Sequence, residues 1–509
     1  MASLTINPAR NVVPNWRDYR TTSELGELNG NNAKSVVLPI FYIDDYIKAW
    51  QDNKTVPFAG DLISAAIMGH YQETPQVIDA ANFIIERKEE VPDSLFKTAV
   101  SIIPITECEG RVKKISVSDR LDKILNQDNI NKERIGFLRK MIHRYPFNPV
   151  WYSELALAYT KLGLNRKAVD SMSIAIHLAP NSRYISRSAA RLFLHIGDMD
   201  RAHDVLIRNS AIASDPWIVA SEIGVNALRG RSSRFMKSGI LMVDSGDYSA
   251  FSVTELASAI GSIEFYHSRK KCKSFINKAL IMPNDNSLSQ AEWLLSLDNS
   301  MKFTFSDYSM LKNKYEADAR KAFLRNDYSL ALEASISWIE EMPFAKTPID
   351  FAANMAFTFK KEYDIAIKIL EIGLKSNQNE PSFLNNLAYS YAMNGMVDIA
   401  DKVLNSNVLK SPDINNDIKI CVIATKGLSE FRKGNVESGR NFYKEAISLA
   451  NYYSMQKLMH KAILNYIREE LIATKQCDKS LLDLVDRLHT GDDRETLIMR
   501  QDIRDLLAV

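Results

Sequence analysis

The sequence predicts an all-α solenoid in which helical hairpins are stacked one after another along the chain. Three observations lead to this prediction. Small and aromatic residues recur at a fixed period of about 34 residues, which is typical of repeat architectures. Glycine and proline residues fall between the apolar segments, where helices are expected to end. The 509 residues suffice for one continuous array, although about 150 residues per globular domain would suggest three domains.

The period is clearest in the spacing from an aromatic residue to a small residue and then to a proline. Tyr159, Ala168 and Pro180 are separated by steps of nine and twelve residues. The same two steps recur, once with a small residue in the aromatic place, at Tyr71, Ala80 and Pro92, at Ala322, Ala331 and Pro343, and at Tyr391, Ala400 and Pro412. A spacing that four segments share indicates a repeated structural unit.

Each type of residue has a physical reason to recur. A small residue is expected where the two helices of a hairpin cross closely, because a larger side chain would separate them. The aromatic residue fills the wedge between one hairpin and the next. Proline ends the second helix or starts the next one, because it lacks the N–H group that helix propagation requires. A positive φ angle costs glycine little, which suits helix ends at Gly163, Gly197, Gly395 and Gly434.

Segments 149–216 and 347–412 resemble tetratricopeptide repeats, which are helix–turn–helix units of about 34 residues. The resemblance is carried by Leu155, Ala156, Tyr159, Gly163 and Ala168 in the first segment and by Leu387, Ala388, Tyr391, Gly395 and Ala400 in the second. It implies a right-handed superhelical solenoid with helical caps. The resemblance is specific for the fold and says little about function, because the family binds many unrelated partners.

The match to the repeat varies along the chain and divides it into six regions. Residues 104–130 break the period and are interpreted as an irregular insertion, whereas residues 217–311 are interpreted as degenerate hairpins joining two better arrays. The predicted regions are a flexible N-terminal arm (1–34), a helical region with one degenerate repeat and the insertion (35–130), an N-terminal array (131–216), the degenerate hairpins (217–311), a C-terminal array (312–450) and capping helices (451–509).

The resemblance also implies where a partner binds. In the family, the first helix of each unit lines a concave groove, and the residues beside its packing positions point into it. These residues are Glu316, Arg320, Phe351, Met355, Phe359, Asn385, Tyr389 and Met393 in the C-terminal array, and Ser153, Lys161, Arg187 and Arg191 in the N-terminal array. Their aromatic and methionine side chains predict an exposed apolar surface that suits an amphipathic helix or an apolar peptide. The alternative is that these side chains pack against a neighbouring unit or a capping helix.

The predicted arm contains two aromatic residues in otherwise polar surroundings, Trp16 and Tyr19. Buried aromatic residues often dominate the binding energy of an interface. Both residues are therefore candidate anchors, either for a partner or for the protein's own groove. The alternative is a tail that packs loosely or not at all.

No pattern in the sequence predicts catalysis, a cofactor or a metal site. The chain lacks a Gly-rich phosphate loop, an HExxH or Cys-x-x-Cys spacing and a Gly-x-Ser-x-Gly elbow. Its eight histidines are scattered without ligand pairing, and its four cysteines are too far apart to indicate a zinc site or a disulfide framework. The prediction is that the chain is not an enzyme.

Charge and hydropathy argue against direct binding to nucleic acid or membrane. The chain has 64 basic and 62 acidic residues, and its basic runs at 111–114 and 269–273 are short. The longest uncharged apolar run, 36–43, falls short of the roughly 20 residues that span a bilayer. No apolar stretch typical of a signal peptide follows the N-terminus. A cytoplasmic location is expected.

Three hypotheses about function follow. The first is a non-catalytic scaffold or adaptor that binds a partner protein or peptide in the groove. The second is a regulatory or sensor subunit that controls a separately encoded effector enzyme, such as a nuclease, and it differs from the first only in what the partner does. The third is an enzyme or nucleic-acid reader with an unrecognised site. Nucleic acid is expected only through a partner, and the sequence sets neither the partner's identity nor the oligomeric state.

Overall fold

A computed structural model of the chain describes residues 15–16, 43–69, 71, 74–103, 116–305, 308, 311, 313–478, 481–483, 485 and 493–508. These residues form helices and connections and contain no strand. They belong to two compact units. The small unit comprises residues 31–115, and the large unit comprises residues 1–30 and 116–509. The all-α prediction is confirmed.

The described residues of the small unit form four α-helices around a core of their own. They are α1 (Asp44–Asp52), α2 (Val56–Gly69), α3 (Pro75–Glu86) and α4 (Asp93–Ile102). Trp50 is buried in this core, and its indole Nε1 donates a hydrogen bond of 3.0 Å to Asp79. Ala80 is buried as the repeat spacing predicts, but Tyr71 is 40% exposed. Because α2 ends at Gly69, Tyr71 lies in the connection and cannot fill a wedge between hairpins.

The large unit is a solenoid of helical hairpins. Its first part consists of α5 (Val117–Leu125), α6 (Asp128–Arg144), α7 (Pro149–Lys161), α8 (Asn165–Leu178), α9 (Arg183–His195), α10 (Met199–Ile207), α11 (Pro216–Leu228), α12 (Met236–Asp244), α13 (Thr254–Glu264), α14 (Arg269–Ala279) and α15 (Asp285–Leu297). Its second part consists of α16 (Tyr315–Leu324), α17 (Tyr328–Glu341), α18 (Lys346–Asn354), α19 (Tyr363–Ser376), α20 (Pro381–Met393), α21 (Val397–Leu404), α22 (Asn416–Arg432), α23 (Val436–Tyr452), α24 (Gln456–Thr474) and α25 (Arg494–Leu507).

The hairpins are tetratricopeptide-like in register and in their turns. Ala168 and Ala400, the small residues of the second helices in the two best matches, are fully buried. The turns between the helices contain Gly163, Gly197 and Gly395 with φ of 69°, 83° and 80°. A side chain is strained at such angles, which is why glycine recurs there.

The solenoid curves toward the first helices of its hairpins. First helices pack on the first helices of the next hairpin, as α7 does on α9 and α20 on α22, whereas successive second helices make few contacts with each other. Because first helices lie closer together, their side of the large unit is concave. This is the side on which the resemblance places the groove.

Three parts of the large unit depart from the predicted pattern. Residues 117–125 form α5, so the prediction of an irregular insertion up to 130 is wrong for this stretch, and residues 104–115 lie outside the described residues. The predicted degenerate region continues the stacking through α11 to α14. After α15 the expected second helix is missing between 298 and 305, where nonhelical chain packs Met301 and Phe303 against α15. That replacement explains why the repeat period is not seen there.

A π-helical turn, Met355–Lys360, extends α18. Ala331, Ala366 and Ala400 occupy equivalent places in successive hairpins, but the first step is one position longer than the second. A π turn accommodates one additional residue within a helix. The turn therefore absorbs the extra residue and restores the register of the next hairpin.

The two ends of the solenoid segment from α5 to α19 contact each other directly. Arg120 forms two hydrogen bonds to the Glu340 carboxylate, of 2.9 and 2.7 Å. Lys368 and Lys375 pair with Asp122 and Asp128 at 2.7 and 2.6 Å. We call this set of contacts between residues 117–163 and 340–376 the closing seam. It joins residues more than 200 positions apart, which the repeat period does not predict.

Candidate binding site

The described residues of the N-terminal arm lie in a buried site of the large unit. Trp16 is 1% exposed, and its ring packs edge-on against Phe344 with 5.8 Å between centroids. Phe344 packs in the same way against His195, at 5.4 Å. Asn15 Nδ2 donates a hydrogen bond of 2.9 Å to Asp285 Oδ2. We call these five residues the arm site.

Three separate elements of the solenoid build the arm site. His195 ends α9, Asp285 begins α15, and Phe344 lies in the turn between α17 and α18. The closing seam brings the α17 and α19 region alongside the first hairpins, which explains how Phe344 reaches His195 across 149 sequence positions. The arm site therefore depends on the curvature of the solenoid.

Two hydrogen bonds connect Asn284, the residue before Asp285 of the arm site, to the predicted groove residue Arg187. Asn284 caps α15 immediately before Asp285 and donates a hydrogen bond of 2.8 Å to Glu255. The other oxygen of Glu255 accepts from Arg187 at 2.5 Å. The Arg187 guanidinium also lies 5.0 Å from the Trp217 ring centroid. The positive charge of Arg187 is thus neutralised by the buried Glu255 carboxylate, and its guanidinium packs against the ring of Trp217.

The electrostatics of the arm site favour a neutral aromatic ligand. Burial, with Arg191 and Lys346 nearby, lowers the pKa of His195 to about 3, so its imidazole is uncharged at neutral pH. The indole Nε1 of Trp16 is buried and has no hydrogen-bond acceptor among the described residues. Leaving such a donor unpaired costs roughly 1–3 kcal/mol. The site therefore binds the ring of Trp16 by packing alone.

These positions decide between the two interpretations of the arm. Asn15 and Trp16 pack on the protein's own chain, so the interpretation of a loosely packed tail is wrong for these two residues. The remainder of the predicted arm, with Tyr19, lies outside the described residues. Sequence reasoning missed Asp285 and Phe344. An apolar aromatic residue in the turn after Pro343 was the available signal for Phe344.

In the C-terminal array, the prediction of an exposed aromatic and methionine surface is wrong. Phe351, Met355, Asn385 and Tyr389 are 7%, 1%, 1% and 8% exposed. Neighbouring hairpins cover the rings, because Phe351 packs against Phe323 at 5.9 Å and Tyr389 against Phe357 at 5.7 Å. These side chains contribute to the core, as the alternative interpretation held.

The other predicted groove residues are also engaged with the protein. Glu316 and Arg320 form an ion pair of 2.8 Å with each other. Phe359 is half-buried with its ring centroid 4.5 Å from that of Tyr328. Ser153 is buried, while Lys161, Arg191 and Met393 are half-buried. The backbone carbonyl of Lys161 accepts a hydrogen bond of 3.0 Å from Ser376. Their role in binding a partner stays a prediction.

The C-terminal helix α25 packs on the concave side of this array. Glu495 pairs with Lys461 of α24 and accepts a hydrogen bond of 2.7 Å from Asn354 Nδ2. Burial raises the pKa of Glu495, but the attraction and hydrogen bond of Lys461, together with the hydrogen bond from Asn354, outweigh this effect, so the pKa is lowered. Arg494 donates to the backbone carbonyl of Leu324 at 3.2 Å. Sequence reasoning expected capping helices but did not predict that one would bind here.

A small pocket lies beside this contact, between α20, α22, α23 and α24. Its lining includes the predicted groove residue Tyr389 together with Thr425, Tyr443, Lys461 and Asn465. Thr425 donates to Asn385 at 3.0 Å, and Lys461 is paired with Glu495. Thr425 and Lys461 of the lining are thus already hydrogen-bonded or ion-paired within the protein.

Neither a metal cluster nor a membrane-spanning helix is found in the described parts of the chain. No three His, Cys, Asp or Glu side chains there come together in a way that would hold a metal ion. No helix in the same ranges is long and apolar enough to cross a membrane.

The solved structures that resemble the chain include yeast Tom70 and human IFIT1, both at low sequence identity. No family model and no curated protein matches the chain. Yeast Tom70 is 16% identical, with 77% of this chain and 95% of that chain covered and a TM-score of 0.30. The human IFIT1 dimer with PPP-AAAA is 15% identical, with 79% of this chain and 97% of that chain covered and a TM-score of 0.35. Superpositions this loose carry no argument about function, which has to rest on the chain's own geometry.

Proposed function

We propose that this chain is a non-catalytic scaffold that binds a protein or peptide partner on the concave face of its large unit. The arm site is the observation that supports the proposal. It buries a nonhelical aromatic residue, Trp16, and hydrogen-bonds the residue before it, Asn15. A site that can bury one of the chain's own aromatic side chains has the shape and chemistry to bury a partner's.

The chemistry of the arm site suits binding rather than catalysis. Asp285 accepts from Asn15, and Glu255 accepts from Asn284 and Arg187, so both carboxylates are used as hydrogen-bond acceptors. A general acid or base needs access to a reacting group in addition to a suitable pKa. We therefore extend the proposal to the absence of enzymatic activity.

Co-purification from the native host tests the proposal. Proteins retained by the tagged chain would be identified by mass spectrometry, and each would then be purified and titrated calorimetrically. We expect Asp285→Ala to weaken binding of the true partner at least tenfold. The exposed Asp247→Ala, which removes the same charge, should leave binding unchanged. Equal affinities of both variants, or no retained protein, would contradict the proposal.

A regulatory subunit is the second candidate, favoured by the occupancy of the arm site by the chain itself. A resident segment gives a route by which partner binding could be controlled. If the identified partner is an enzyme, its turnover should change when the chain is added. A partner whose turnover is unaffected would leave the scaffold as the better description.

A further inference from the structure

We infer that the arm site recognises a hydrogen-bond donor followed by an aromatic side chain, and that Asn15 and Trp16 are a resident ligand displaced by a partner peptide of this form. The inference rests on the proposed function for the existence of a partner. It goes beyond that function by naming the chemistry of the segment that binds.

The donor preference comes from Asp285. Its Oδ2 accepts the side-chain amide of Asn15 at 2.9 Å, and Asp285 is only half-buried at the first position of α15. A carboxylate accepts hydrogen bonds and donates none when ionised. A ligand with a carboxylate in the place of Asn15 would be repelled, whereas an amide, hydroxyl or cation would be held.

The aromatic preference comes from the ring environment. Trp16 is 1% exposed and packs edge-on against Phe344 at 5.8 Å. Its indole N–H has no acceptor among the described residues, so this donor loses its water without gaining a partner. A phenylalanine in the same place has no such donor. The resident indole therefore carries a desolvation cost that a phenylalanine would avoid.

The ligand that displaces the arm is a partner peptide rather than the arm of a second copy. The arm of a second copy carries the same unpaired indole N–H and competes with a tethered arm whose effective concentration is on the order of millimolar. Only a different segment gains free energy in the exchange. A segment with phenylalanine after a side-chain donor avoids the unpaired N–H, which is the free-energy difference that we expect to favour it.

The test uses a fluorescent peptide of residues 10–20 and the full chain carrying Trp16→Ala, which empties the pocket. Fluorescence anisotropy should show the peptide binding this variant at least tenfold more tightly than wild type, in which the arm competes. A peptide with phenylalanine in place of Trp16 should bind at least as tightly, and one with alanine should not bind. If Trp16→Ala lowers the helical content, Asn15→Asp replaces it, because a carboxylate facing Asp285 expels the arm.

A reciprocal exchange separates recognition from a general loss of structure. A peptide with aspartate in place of Asn15 should fail to bind the Trp16→Ala chain but should bind when that chain also carries Asp285→Asn. This exchange reverses donor and acceptor across the 2.9 Å contact. A structural role of Asp285 alone would not produce such a change in preference.

Several outcomes would overturn the inference. They are equal affinity of the peptide for wild type and Trp16→Ala, tenfold weaker binding of the phenylalanine peptide, and the absence of the reciprocal exchange. A concentration-dependent dimer that Trp16→Ala abolishes would show that arms exchange between copies instead. These results do not involve a host protein. Peptide binding without any co-purifying partner would support the recognition chemistry of the arm site, but it would contradict the proposed function and with it the displacement of the arm by a partner.

Discussion

Ala400 lies where α21 crosses its neighbours, and its side chain is fully buried. Ala168 occupies the equivalent place in α8 and is buried to the same extent. At this scale the sequence pattern has a direct physical meaning, because the close crossing has room for a methyl group and little more.

We expect Ala400→Leu to lower the free energy of unfolding by roughly 1–3 kcal/mol, because the larger side chain overpacks the crossing. Lys402→Leu, at an exposed position of the same helix, is the matched control and should change stability little. Urea unfolding of both variants measures the difference. Equal losses for the two would contradict the register.

His195 makes the stability of the folded chain depend on pH, and the pKa of its imidazole fixes the direction of that dependence. Its folded-state pKa of about 3 lies below its ordinary value of 6.5. As the pH falls below 6.5, the unfolded chain binds a proton that the folded chain does not, so stability is lost. Between pH 7 and pH 5, wild type should lose about 1–2 kcal/mol more than His195→Gln, measured by chemical unfolding. If the stability of the two proteins fell equally with pH, His195 would not be the cause of the loss.

At the scale of elements, the turn between α7 and α8 combines two constraints on one glycine. Gly163 has a φ of 69°, and a Cβ atom on it would lie 2.5 Å from the backbone oxygen of Lys375 across the closing seam. Gly197, in the next turn, has a φ of 83° but open space around it. The repeat alone makes these glycines equivalent, whereas the closing seam makes them different.

Gly197→Ala should cost roughly 1–2 kcal/mol, because its backbone angle is unfavourable for a residue with a side chain. We expect Gly163→Ala to cost at least about 1 kcal/mol more, since it also pushes the two sides of the seam apart. Thermal unfolding under identical conditions compares them. A Gly197→Ala variant as unstable as Gly163→Ala would argue that the seam contact at this turn contributes nothing.

Helix α25 is fastened by a buried ion pair, Glu495 with Lys461, whose side chains are 18% and 11% exposed. Removing one partner leaves a buried charge uncompensated, so Glu495→Ala should cost about 3–5 kcal/mol. Lys461→Met with Glu495→Leu removes both charges and should recover most of that loss. Urea unfolding of Lys461→Met, Glu495→Leu and the double variant measures the coupling. Simple additivity of the two changes would exclude an energetically coupled pair.

At the scale of the whole large unit, the closing seam changes how a solenoid is expected to unfold. A repeat array with contacts only between neighbours can open locally, hairpin by hairpin. Here Arg120 and Lys368 connect α5 to α17 and α19, so the first hairpins and the middle of the array support each other directly. Phe344 of the arm site lies in the turn that follows α17, four residues after the seam residue Glu340.

We therefore predict that Arg120→Ala with Lys368→Ala uncouples the two sides of the seam. In wild type, amide hydrogen exchange should show α7 with α8 and α17 with α19 opening at one common free energy. In the double variant these segments should open separately, with the first hairpins less protected. Arg201→Ala with Lys278→Ala, which removes two ion pairs on or between neighbouring helices, is the control. Similar exchange in both double variants would contradict a special role for the seam.

The sequence was sufficient for the features that depend on neighbours along the chain. These are the hairpins, the burial of Ala168 and Ala400, and the glycine turns, because a fixed period places the same side chains at every helix crossing. It was insufficient for Phe351 and Tyr389, since a first-helix position can either line a groove or be covered by the next hairpin. Only packing distinguishes the two, and here both rings are covered.

The tertiary structure alone decided the closing seam, the arm site and the attachment of α25. Each joins segments that are far apart in sequence, as Trp16 is from Phe344 and Asn354 from Glu495. The distance between such segments is set by the small rotation from one hairpin to the next, added over the whole array. A period in the sequence specifies that hairpins stack but leaves this accumulated curvature undefined. Trp16 could be identified as a candidate anchor from the sequence, but for this reason its surroundings, His195, Asp285 and Phe344, could be recognised only after the turn of the solenoid had brought them together.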